Sequence, residues 1–203
     1  TFYPPNWLTI SLSAPDATRV SIILHIIWCA VGVFLLFRQT ISKVILPAFV
    51  AAIVFALSAY ISAHVEQINQ LQGLSWLPWL LYLYHQAHNS SHRLRWSLLL
   101  AMAWALQIFS GHTQTVFMTG IALGIYALSL SNSETLLKST IKNLALVAIP
   151  AIIALLLALP QLLPTLELTG MSNRGGGFDA NQATAFSLPP TYLGRALLPS
   201  YDG

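Results

Sequence analysis

Few side chains in this sequence can do chemistry, and most of those fall in short polar stretches. Arg174 is followed by Gly175, Gly176 and Gly177. A guanidinium gives bidentate, charge-assisted hydrogen bonds, and consecutive glycines let backbone N–H groups approach an anion, so this run can hold a phosphate. The competing reading is a solvated arginine in a loop. The run lacks the Lys-Ser/Thr of a P-loop and follows no strand, which argues against nucleotide binding. Glu167 lies just after Pro164, where a carboxylate can orient a hydroxyl, pair with Arg174 or serve as a surface charge.

His64 with Glu66, and His112 with Gln114, are i, i+2 pairs in polar turns. Together they can form a hydroxyl-binding site or hold a divalent metal, although neither pair has the i, i+4 spacing of a helical zinc motif. Structural hydrogen bonding is the alternative for both. His25 lies inside an apolar run, where a packing hydrogen bond is a commoner role than a proton relay. No Asp or Glu falls within any apolar run, which argues against an ion-coupled transporter.

These groups must be positioned by a very apolar chain. Of 203 residues 56% are hydrophobic and 7% charged, against about 25% charged in a soluble domain. The composition specifies an integral membrane protein. A net charge of +3 from so few groups gives no dense basic face, so nucleic acid is excluded as a partner. The lone Cys29 permits no internal disulfide and reads as a buried small hydrophobe.

The apolar runs predict an all-α, polytopic protein with about six spans. Residues 1–19 form an external connector in which Pro4, Pro5 and Pro15 break any helix. The spans follow at 20–37, 44–63, 74–87, 96–110, 115–130 and 144–163, the third and fourth short or kinked. His64 to Gly73 reads as a polar hinge, Pro78 as a kink, and Trp7, Trp76, Trp79 and Trp96 as interfacial anchors. Residues 1–163 make a transmembrane domain. Residues 164–203 form an external polar segment, entered through a Pro-Gln-Leu-Leu-Pro break.

Lys and Arg set the expected topology. Arg38, Lys43, Arg93, Arg95, Lys138 and Lys142 occupy three turns on one side, which makes that side cytoplasmic. His64, Glu66, His112, Gln114, Gln161, Glu167, Arg174 and Asp179 then share the other face. Both chain ends read as cut points, and an external N-terminus implies an earlier span.

The ordered series FYPPNWL, the His64 hinge leading into LSWLPWLL, then FSGHTQ, LPQLLPTLEL, SNRGGG and FSLPP resembles bacterial membrane proteins of the YfhO family. These are similar to the GT-C class of polyprenol-phosphate-dependent glycosyltransferases, and the likeness covers a central piece of such a protein. It implies a multi-pass protein of the bacterial cytoplasmic membrane that moves a sugar from a polyprenyl-phosphate carrier to a cell-envelope acceptor on the outer face. Membrane lipid and the lipid-linked sugar would be its partners. The resemblance puts the lipid phosphate on Arg174 and the glycine run, with Glu167, His64 and His112 shaping the acceptor or metal side and Glu66 and Gln114 beside them. The key acid of GT-C enzymes usually lies in a first external loop, upstream of the position matching Phe2, and Asp16 does not clearly replace it. The rival expectation is a non-catalytic transmembrane subunit that docks membrane protein partners.

Overall fold

The computed structural model describes residues 2–131, 135–171, 184 and 187. These are helical almost throughout, with no strand among the described residues. In lipid that is one of two ways to satisfy every backbone N–H and C=O. A 3-10 helix, Pro4–Thr9, precedes α1 (Ala14–Thr40), α2 (Ile45–Ala56), α3 (Ala59–Ala63), α4 (Ile68–Leu74), α5 (Leu77–Asn89), α6 (Arg93–Phe109), α7 (Thr113–Ser129), α8 (Leu136–Leu157) and α9 (Leu159–Met171).

Among the described residues three segments are long and apolar enough to cross a membrane: Ala14–Thr40, Ile45–Ala63 and Leu136–Leu157. At 1.5 Å per residue α1 extends about 40 Å and α8 about 33 Å, both beyond a hydrocarbon core of about 30 Å. Thr113–Ser129 is a shorter apolar helix. The chain divides into two compact units, Thr1–Gln161 and Leu162–Gly203.

Within the first unit α1 packs on α2 and α5, α6 packs on α5 and α8, and α7 packs on α8. Small residues make these contacts close, as expected where lipid supplies no hydrophobic drive between helices. Ala48, Ala52 and Ala56 form the buried face of α2. Gly32 of α1 lies under Trp79, where an added Cβ would stand 2.7 Å from the indole Cδ1. Trp79 donates its N–H to the Trp28 carbonyl at 2.8 Å and stacks on the Trp28 ring with centroids 4.1 Å apart. Ile23, Ile27 and Val31 on α1, and Leu46, Val50 and Val54 on α2, point outward.

Several expectations are corrected. Pro15 does not break a helix. It occupies the first turn of α1, which Ser13 caps by accepting from the Asp16 N–H. There proline costs no hydrogen bond, because that N–H has no helical partner anyway. Pro78 likewise opens α5 rather than kinking it. The polar hinge is largely α4, with Gln70, Gln72 and Gly73 buried. Trp76 is a core residue at 8% exposure, not an interfacial anchor, whereas Trp7 is exposed. The Pro-Gln-Leu-Leu-Pro stretch is helical. α8 ends at Leu157, Ala158 caps it, and α9 continues through Pro164 to Met171.

Candidate functional site

One end of the first unit gathers the N-terminal segment, α4, the α6–α7 turn and the start of α9, through hydrogen bonds between residues far apart in sequence. The Phe2 N–H donates to Gln161 Oε1 at 3.1 Å. Gln161 Nε2 in turn faces the carbonyls of Ile108 and Phe109. Gln72 Nε2 donates to Asn6 Oδ1 at 2.7 Å and to Ser21 Oγ at 3.1 Å.

Two buried networks lie beneath this surface. In the first, the Trp76 indole N–H donates to the Tyr3 hydroxyl at 2.9 Å, and that hydroxyl contacts His25 Nε2 at 2.8 Å. His25 Nδ1 faces the Ser21 carbonyl at 2.7 Å. A carbonyl only accepts, so Nδ1 carries the proton, Nε2 accepts, and Tyr3 donates. Burial holds the Tyr3 phenol above its ordinary pKa, against a smaller lowering by the Trp76 bond, so it stays protonated for that role. His25 has the hydrogen-bonding role that its apolar surroundings suggest. A cavity of about 290 Å³ adjoins the network, lined by Tyr3, Leu24, His25, Trp28 and Trp76 among others.

In the second network Gln107 Nε2 donates to the Gly73 carbonyl at 2.9 Å and to Thr119 Oγ1 at 2.8 Å. Thr119 passes its own proton to the Thr115 carbonyl. This ties α4, α6 and α7 together just below the turn at Ser110, Gly111 and His112. Gly111 makes that turn at φ 84°, a region that favours glycine.

The turn presents His112, the N-cap of α7. Its Nδ1 accepts from the Thr115 backbone N–H at 3.3 Å. That bond fixes the neutral tautomer with its proton on Nε2, and the Thr115 hydroxyl also lies against Nδ1. His64, at the end of α3, is held the opposite way. Its Nδ1 contacts the Tyr60 carbonyl at 2.7 Å and must donate, which leaves Nε2 with a lone pair. The His64 ring also packs against the Tyr60 ring at 4.4 Å between centroids. The two histidines are near enough to interact electrostatically. Burial, and secondly the charge of His64, lower the pKa of His112 below the ordinary histidine value. The site therefore offers one Nε2 acceptor, on His64, and one Nε2–H donor, on His112.

This arrangement does not fit a metal. No group of three or more His, Cys, Asp or Glu side chains able to hold one occurs among the described residues. Metal on His112 Nε2 would also force the ring proton onto Nδ1, and the α7 cap would be lost.

Of the other expected site residues in the first unit, Glu66 and Gln114 are not drawn into this pair. Glu66 and Gln114 are exposed and make no hydrogen bond or ion pair among the described residues. Glu167 is exposed on α9 and belongs to the second unit. Arg174, Gly175, Gly176, Gly177 and Asp179 lie outside the described residues. Tyr3, Gln72 and Gln107 join these networks with no motif around them that marks a site, and Trp76 reads from sequence as an interfacial anchor. Gln107 carried a signal: an amide in the apolar stretch Leu98–Ile108 has to find hydrogen-bond partners.

No family model, curated protein or solved structure matches this chain.

Proposed function

We propose that this chain is the membrane-embedded part of a GT-C-type glycosyltransferase. It moves a sugar from a polyprenyl-phosphate carrier to a cell-envelope acceptor on the non-cytoplasmic face of a bacterial membrane. The observation that carries the reading is the pairing of His64 and His112, one an acceptor and one a donor at Nε2, at the polar end of an apolar helical unit. Hydroxyl groups complement each of these atoms, and an acceptor and a sugar supply them.

In this reading the acceptor oxygen bonds to the anomeric carbon as the bond from that carbon to the phosphate oxygen breaks. The hydroxyl proton passes to a base, for which His64 Nε2 is available, and the leaving phosphate retains its electron pair. Glu66 and Gln114 orient sugar and acceptor. The chain crosses six times, through α1, α2 with α3, α4 with α5, α6, α7 and α8. The turns bearing Arg38, Arg93 and Lys138 face the cytoplasm.

The test is hexose transfer from undecaprenyl phosphate hexose by the full chain in liposomes. His64→Ala is expected to lower the rate about 100-fold or more, the scale of a lost general base. Equal rates for His64→Ala and the unaltered chain would remove His64 from the chemistry. A second reading, a non-catalytic transmembrane subunit, draws on the exposure of Glu66, Gln114 and Glu167. Absence of transfer, together with a stoichiometric membrane partner on purification, would favour it.

A further inference from the structure

The opposite end of the first unit holds a different kind of site. There Tyr84 donates to the Asn143 carbonyl at 3.3 Å, and Asn143 Nδ2 donates to the Ala127 carbonyl at 3.2 Å, which joins α5, α7 and α8. Beside this junction, α6 and α8 enclose an open groove of about 500 Å³. Its walls are Leu94, Leu146, Ile149 and Pro150, and Arg93 and Lys142 stand in it from the two helices.

Three properties of this groove define its occupant. Leu94 and Ile149 are 73% and 58% exposed, so the apolar wall opens outward where lipid chains would lie. Arg93 spends its Nε and Nη2 on the carbonyls of Ala87 and His88, at 3.3 and 3.4 Å, which leaves Nη1 without a partner among the described residues. Lys142 is exposed and makes no hydrogen bond or ion pair among the described residues. Two cations thus line one groove with no carboxylate against them among those residues, an arrangement that an anion between them relieves. Ser97, also in the groove, has a hydroxyl without a partner there.

We propose that this groove binds an anionic phospholipid. The phosphodiester sits between Arg93 and Lys142, Ser97 donates to the glycerol ester region, and one acyl chain runs along Leu146, Ile149 and Pro150. A monoanionic diacyl lipid such as phosphatidylglycerol meets each requirement. A zwitterionic lipid brings a quaternary ammonium that the two cations repel, and a free phosphate leaves the apolar wall uncovered. The site is independent of the His64–His112 end.

The test is native mass spectrometry of the full chain released from mixed phosphatidylglycerol and phosphatidylcholine nanodiscs, counting retained lipid. Preferential retention of phosphatidylglycerol is expected. Lys142→Gln should reduce that preference about five-fold, the scale of one basic group near a membrane surface. Lys142 is exposed and makes no hydrogen bond or ion pair among the described residues, so this variant should fold normally. Arg95→Gln, which removes the same charge outside the groove, should leave the preference intact. Glycerophosphoglycerol, which has no acyl chains, should not displace the bound lipid. Equal retention of the two lipids, an equal effect of Arg95→Gln and Lys142→Gln, or displacement by glycerophosphoglycerol would each overturn the proposal.

Discussion

The Tyr3 hydroxyl donates to His25 Nε2 at 2.8 Å and accepts from the Trp76 indole N–H at 2.9 Å, joining the N-terminal segment, α1 and the entry to α5 through one oxygen. Tyr3 is fully buried, and Tyr3→Phe would leave two polar nitrogens unpaired. Each such orphan costs about 1–3 kcal/mol. The variant should melt well below the parent in detergent. An unchanged midpoint would mean that water replaces the hydroxyl.

Gly32 and Gly124 should respond in opposite directions to alanine. At Gly32 the new Cβ would lie 2.7 and 2.8 Å from Trp79 ring atoms, so the indole must move and its bond to the Trp28 carbonyl is strained. A cost of about 1–3 kcal/mol is expected for overpacking. Gly124 has no neighbour within 4 Å of the added carbon. Gly124→Ala should gain up to about 1 kcal/mol of helix stability. Thermal midpoints of the two variants check both signs.

How much of this was legible beforehand differs by element. The apolar helices α1, α2 with α3, and most of α8 are plain in the sequence, because an apolar run is a composition signal that needs no partner; α8 starts and ends earlier than the expected 144–163. Hydropathy hid the rest. Gln72 is polar by type yet buried in α4, because its partners, Asn6 and Ser21, lie 66 and 51 residues away. Pro15 and Pro78 read as breakers because the register of a helix start is not visible without its cap. His64 and His112 stand out in the sequence as polar turn residues, but their opposite tautomers depend on the Tyr60 carbonyl and the Thr115 N–H.

Acid should weaken the protein through His112. Its folded-state pKa lies below the ordinary 6.5, first through burial and then through His64. As pH falls, the unfolded chain therefore takes up this proton before the folded one does. The contribution of neutral His112 is complete above the ordinary value and is lost as pH falls toward the lower folded value. His112→Asn keeps a good N-cap without the titration. The fall in melting temperature between pH 8 and pH 5 should be shallower in that variant. An identical slope would show that other groups set the acid response.

The most direct test is the protonation of His64 and His112, read by long-range 15N–13C NMR on histidine-labelled protein near pH 8. The expected result is a proton on Nδ1 in His64 and on Nε2 in His112, with both Nε2 signals shifting when undecaprenyl phosphate hexose is added. The same tautomer in both rings, or no shift on addition, would contradict it.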